Sequence, residues 1–151
     1  MGKVKLSNKI YFTASKQKVW DSVMDPEKVV KSVPGLQSYE VQENKKVSAR
    51  VKAGMGMVRG TFKVKGSYKE VNPEAYSLRY LLSGSGVGSM FDAEIVMKLS
   101  DMQGGTEMAY EAEATTSGVL AGLAGRIIEK KVTEIAEEMF ENLKKEIEKE
   151  G

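Results

Sequence analysis

The side chains with which this chain could do chemistry are carboxylates, hydroxyls and amines, because it contains neither histidine nor cysteine. Without histidine, the commonest general base and the commonest metal ligand are gone. Without cysteine there is no disulfide, no thiol nucleophile and no thiolate zinc site. Paired carboxylates remain a route to acid–base work. Asp92 with Glu94, and Glu111 with Glu113, stand two residues apart in alternating stretches, so each pair shares one strand face. Those faces are otherwise charged, and such carboxylates read as solvated. Glu40 turns inward only if its strand is shifted in register. No cluster has metal-ligand spacing, so neither a metal nor a cofactor is expected.

Two glycine-rich stretches, Gly54-Met55-Gly56 with Gly60 and Gly84-Ser85-Gly86-Val87-Gly88, resemble phosphate loops superficially. Neither lies between a parallel strand and a helix, and neither is followed by Lys-Ser/Thr. They read as hairpin turns or bulges, with the freedom to act as lids. Met55, Met57 and Met90 lie at these turns and suit a flexible mouth, whereas Met97 and Met139 read as ordinary core.

The alternation that positions these groups is regular. Val47, Ala49, Val51, Ala53 and Met55 share one face of their strand. Val58, Gly60, Phe62, Val64, Gly66 and Tyr68 do so on the next, followed by Tyr76, Leu78, Tyr80 and Leu82. Phe91, Ala93, Ile95, Met97 and Leu99, then Met108, Tyr110, Ala112 and Ala114, complete that face. The opposite face carries Arg50, Lys52, Arg59, Lys63, Lys65 and Lys69, then the carboxylates already named. One side is buried and one is wet. The many small inward residues mean either close helix packing or space left for a ligand. Tyr68, Tyr80, Tyr110, Thr106 and Thr116 are the polar groups available to orient one.

Strands are predicted at Val4–Phe12 and over about 36–43, 46–55, 58–71, 76–86, 89–100 and 105–117, with turn signals between most of them. Ser15 is the expected N-cap of a short helix carrying Val19, Trp20 and Val23, and Asp25-Pro26 opens a second running to about Ser32. From Ser117 to Ile147 the apolar residues recur mostly at i, i+3, i+4 and i+7, including Leu120, Leu123, Ala124, Ile127 and Ile128. That spacing predicts one long amphipathic helix. The expected fold is α+β: a seven-stranded antiparallel sheet wrapped around a C-terminal helix, with two short helices after the first strand.

Composition agrees. Hydrophobic content of 41% and charged content of 29% are ordinary for a globular chain, and 151 residues suit one domain with a real core. The uncharged run 117–125 is too short to span a bilayer, and no signal segment precedes the first strand, so a cytoplasmic location is expected. Residues 1–80 carry 16 Lys/Arg against 7 Asp/Glu and residues 81–151 carry 7 against 14, which makes the halves +9 and −7. This asymmetry means either opposite charges on one solvated surface or an anionic partner. The basic row Arg50, Lys52, Arg59, Lys63 and Lys65 is the candidate docking strip. It lacks interleaved aromatics, so no nucleic-acid partner is expected. Lys/Glu richness without cysteine also suits a thermophilic source.

Three stretches carry a family resemblance: Asp25-Pro26 through Val33-Pro34-Gly35-Leu36, Val51 through Phe62 as V-x-x-G-x-G-x-x-x-G-x-F, and Ser117-Gly118 to Ile128. With the element order, they make the chain similar, from about Lys5 to Lys145, to the SRPBCC (START-like, helix-grip) superfamily and to its branch of carbon monoxide dehydrogenase G subunits. The resemblance implies a single START-like domain over 1–151 with an apolar cavity between sheet and long helix. It implies a role accessory to molybdenum carbon monoxide dehydrogenases or related hydroxylases, whose electrons leave through membrane quinones. Many members of the branch end in a hydrophobic or amphipathic anchor. This chain stops at Gly151 after Glu146, Glu148 and Glu150 without such an anchor, so membrane docking is not expected and contact with the inner membrane face would be peripheral at most.

The expected function is therefore a non-enzymatic carrier of a hydrophobic small molecule, lipid or quinone-like. Its ligand-binding residues would be Val51, Ala53, Met55, Phe62, Val64, Tyr80, Leu82, Phe91, Ala93, Ile95, Tyr110, Ala112, Leu120, Leu123, Ala124 and Ile127. Two alternatives stand beside it. One is an enzyme of the polyketide cyclase or aromatase kind, with tyrosines as its polar groups. The other is a protein-docking module acting through the basic face.

Overall fold

In a computed structural model of the protein, residues 2–55, 57–123 and 125–149 are described. Strand β1 (Gly2–Phe12) leads into helices α1 (Lys16–Val23) and α2 (Pro26–Lys31). Six strands follow: β2 (Leu36–Val41), β3 (Val47–Met55), β4 (Val58–Asn72), β5 (Ser77–Gly86), β6 (Ser89–Met102) and β7 (Gly105–Gly118). A 3-10 turn (Val119–Gly122) then precedes helix α3 (Gly125–Lys149). The sheet runs β1-β7-β6-β5-β4-β3-β2 and each neighbouring pair is antiparallel.

The short helices start where the sequence places them. The Ser15 side chain accepts from the Lys18 amide at 3.2 Å. Asp25 accepts from the amides of Glu27 (3.0 Å) and Lys28 (3.4 Å), with Pro26 in the first helical position. Each arrangement satisfies amides that a helix leaves unpaired at its start.

Helix α3 packs on β1 and also touches β3. Five strand steps separate those two in the sheet, about 24 Å if it were flat, whereas a helix with its side chains is about 10 Å across. The sheet must curl around the helix for both contacts to exist.

The long helix starts later than the apolar spacing predicts. Ser117 and Gly118 are still strand, paired with Met90 and Ser89. Gly118 takes φ +74°, and a Cβ there would collide with the Gly88 carbonyl oxygen, so the chain turns where only glycine fits. The 3-10 turn is held by the Leu120 amide donating to Ser89 Oγ at 3.0 Å, and Leu123 is extended again. Leu120 and Leu123 therefore belong to the connection and not to the helical stripe. Strand β5 also begins one residue later than predicted, because Tyr76 adopts φ +51°. No helix among the described residues is long and apolar enough to cross a membrane.

Candidate functional site

Register fixes which side chains meet inside the curl. On the inner face Val47, Gly66, Leu82, Ala93, Ala114 and Val4 form one row across the sheet. Tyr68, Tyr80, Ile95, Ala112 and Leu6 form the next. The ends of this face are closed. At one end Phe12, Val19, Trp20, Leu78, Met97, Leu99, Met108, Tyr110, Leu143 and Ile147 make a buried cluster. At the other, Val58, Phe62 and Leu120 make a smaller one, flanked by Ala53, Val64, Phe91 and Leu123.

Between the two clusters burial is incomplete. Val51, Val64, Leu82, Ala93, Ile95 and Ala112 point inward yet remain partly exposed, as do Val132, Ile135, Ala136 and Met139 on α3. Apolar side chains that face each other and still meet solvent mark a space between sheet and α3 that solvent reaches. That space is the candidate binding chamber.

The small inward residues divide into two groups. A Cβ on Gly66 would collide with the Tyr80 ring and hydroxyl, and one on Gly84 would strike the Phe91 ring. These glycines make room for aromatic rings lying flat on the sheet. The alanines at 49, 53, 93, 112 and 114 remain partly exposed.

The three inward tyrosines, alike in sequence, are in different situations. The Tyr68 hydroxyl donates to the Val23 carbonyl at 2.6 Å, and burial pushes its pKa well up. Tyr110 is buried with its ring 4.8 Å from that of Phe140. Burial raises its pKa, with the Asn8 side chain acting in the other direction. Tyr80 packs edge-on against Tyr68 at 5.0 Å, and burial pushes its pKa up to about 12. Its hydroxyl has no hydrogen-bond partner among the described residues. Thr106 is committed to the Ala14 carbonyl at 2.8 Å, while Thr116 is buried with Oγ1 unpartnered among the described residues.

Of the other residues expected to bind ligand, Phe62 and Leu120 are buried in the smaller cluster, and Phe91 and Leu123 are partly exposed beside it. Ile127 is 41% exposed and its neighbour Ile128 is the buried one. Ala124 and the Met55 side chain lie outside the described residues.

The outer face is polar, as the alternation predicts. Glu40 pairs with Ser48 and is exposed there, so it does not enter the chamber. Glu94 and Glu113 are directly opposite each other, but Arg79 pairs with Glu94 and Lys3 with Glu113 at 2.6 Å. The Lys3 hydrogen bond holds the Glu113 carboxyl below its usual range. Among the described residues, no Asp/Glu grouping could hold a metal ion. Arg50, Lys52, Arg59, Lys63 and Lys65 are all exposed on this face and form no ion pair among the described residues. Arg50 stands directly across from Lys63, an arrangement of like charges that costs stability unless an anion neutralises it. Two open hollows of about 770 and 470 Å³ also lie on this face. Charged residues of both signs line them, including Lys65, Asp92 and Glu113 in the larger. They are unsuited to an apolar ligand, which belongs to the inner face.

One feature escaped the strand and helix patterns. Met57, Val87, Met90, Val119 and Ile127 are exposed apolar side chains at the end of the barrel closed by the smaller cluster. A Cβ on Gly60 would sit 2.7 Å from Val87, and one on Gly88 3.3 Å from Val119, so the turns bearing them are in contact. Only Met57 and Met90 were legible as part of a mouth.

Known structures share this architecture. A conserved protein from Geobacillus kaustophilus is 24% identical with a TM-score of 0.88, over 97% of this chain and 96% of that one. Ara h 8.0201 is 17% identical with a TM-score of 0.72, over 97% and 98%. The Zhui aromatase/cyclase from Streptomyces sp. R1128 is 12% identical with a TM-score of 0.67, over 97% and 94%. At such identities these likenesses establish the helix-grip, SRPBCC-like fold and nothing more. No curated protein matches the chain. The family model of the carbon monoxide dehydrogenase G subunit (CoxG) matches residues 9–148, nearly the whole length, and the chain belongs to that family.

Proposed function

We propose that the protein is a non-enzymatic carrier that holds a hydrophobic small molecule, lipid or quinone-like, between the sheet and α3. It would do so as an accessory to a carbon monoxide dehydrogenase-type molybdenum enzyme. The observation that carries this reading is the belt of partly exposed, inward-facing apolar side chains between two closed ends. A ligand burying about 400 Å² of apolar area there would gain roughly 10 kcal/mol before the costs of binding. Membership of the CoxG family supports the accessory role.

Acid–base catalysis is poorly supplied. The inward positions of the described sheet strands bear hydroxyls and no carboxylate or amine, and Tyr80 stays protonated at physiological pH. The cyclase alternative rests on fold likeness to one aromatase/cyclase and on these hydroxyls.

The exposed apolar tips beside the smaller cluster suit ligand exchange with an apolar phase at a membrane surface, with the protein in peripheral contact. The cations of β3 and β4, which form no ion pair among the described residues, suit docking of an acidic surface of the partner enzyme on the outer face of the sheet. The two roles separate by mutation. Leu123→Asp should abolish ligand capture and leave docking intact, and Lys63→Glu with Lys65→Glu should do the reverse. Loss of both activities in both variants would contradict the division.

A further inference from the structure

We infer that the chamber selects uncharged lipophiles bearing a hydrogen-bond-accepting head, such as a carbonyl, and that Tyr80 is the residue that makes the selection. This rests on the carrier reading above.

Tyr80 is the one inward tyrosine whose hydroxyl is not already used. Tyr68 donates to the Val23 carbonyl, and the Tyr110 hydroxyl is engaged by the Asn8 side chain while its ring is buried against Phe140. The Tyr80 hydroxyl is unpartnered among the described residues, yet it is not among the buried polar atoms cut off from solvent. It therefore keeps some access to solvent. Its direction is fixed, because the ring rests edge-on against Tyr68 and the hydroxyl lies over Gly66, where any side chain would displace it. A donor held in place in advance gives up little entropy when an acceptor arrives.

The charge of the ligand follows from the same surface. The inward rows from Val47 to Leu99 and from Thr106 to Thr116 contain no cation. Against these sheet rows a carboxylate or phosphate head would lose its water and find no counter-charge, which is far costlier than burying a carbonyl that accepts one hydrogen bond. The second unmet group on this face, Thr116 Oγ1, is likewise a neutral hydroxyl and is 4% exposed. With its pKa raised to about 12, Tyr80 donates throughout the physiological range.

The test compares three molecules of similar chain length, 2-tridecanone, dodecanoate and tridecane. Each displaces the neutral fluorophore N-phenyl-1-naphthylamine from the wild type and from Tyr80→Phe, and melting temperature serves as a second readout. The ketone should bind the wild type at least roughly tenfold more tightly than dodecanoate. Tyr80→Phe should weaken the ketone by roughly three- to tenfold while leaving tridecane and the melting temperature of the free protein unchanged. If dodecanoate binds as well as the ketone, or Tyr80→Phe leaves the ketone unaffected, the selection is overturned while the carrier survives. If neither the fluorophore nor any of the three binds or shifts melting, the carrier reading itself falls.

Discussion

Replacing Ala112 by leucine tests whether the chamber is open, through the sign of a stability change. Ala112 lies on β7 between Ile95 of β6 and Leu6 of β1, facing α3, and is partly exposed. Leucine adds three carbons. At about 0.8 kcal/mol per buried CH2 their full burial would gain roughly 2.4 kcal/mol, and half burial about 1.2. Fixing the rotamer costs about 0.5–1 kcal/mol. The net for an open chamber is thus about 0.2 to 2 kcal/mol of stabilisation, a rise in Tm of at most about 8 °C for a chain of this size. In a filled core the same carbons have nowhere to go, and overpacking costs about 1–3 kcal/mol. Urea unfolding of the ligand-free protein separates these outcomes, with Val19→Phe in the fully buried cluster as the overpacked control. Ligand uptake by Ala112→Leu should fall while stability holds. Destabilisation by more than about 1 kcal/mol, comparable with the control, would refute the open chamber.

Gly118→Ala should destabilise the protein by about 1–3 kcal/mol in urea unfolding, because the positive φ is unfavourable for alanine and its Cβ meets backbone that cannot swing aside. Tyr68→Phe should cost about 1 kcal/mol by leaving the Val23 carbonyl without its partner. It should leave ketone binding unchanged. Lys63→Glu relieves the like-charge pair with Arg50, so Tm should rise slightly at low salt and the gain should shrink as salt is added. Glu148 accepts from the Thr13 hydroxyl at 2.6 Å and amide at 2.9 Å, which lowers its pKa in the folded state. A carboxyl held low when folded stabilises above its unfolded pKa and loses that contribution as pH falls through the folded value. Glu148→Gln should therefore lower stability at neutral pH relative to wild type, and the difference should vanish in acid.

The fold was legible because one face of the sheet is wet. Lys63 and Lys65 flanking Val64, or Asp92 and Glu94 flanking Ala93, fix which residues point inward before any contact is known. The start of α3 was not legible, since the glycines and alanines from 118 to 125 extend the apolar spacing while Gly118 takes a backbone angle that no helix uses. Within the site, the inward rows could be read from period two, but not the state of each group in them. Tyr68 finds its partner 45 residues away at the end of α1, while Tyr80 finds none. Gly66 looks like empty volume in sequence and Gly84 like part of a turn, yet aromatic rings from the neighbouring strand cover both. Ile127 and Ile128 both fit a helical stripe, and only the path by which α3 leaves the 3-10 turn decides that Ile128 is buried. Such choices depend on tertiary contacts and not on local pattern.

The central claim is that an apolar molecule occupies the space between sheet and α3. The most direct test is native mass spectrometry of the gently purified protein, followed by solvent extraction and identification of what is released. The account predicts one apolar, uncharged molecule per chain, or uptake of one to that stoichiometry on incubation with quinones and neutral lipids, and its loss in Ala112→Leu. A clean protein mass with no adduct and no rise in melting temperature after that incubation would contradict it.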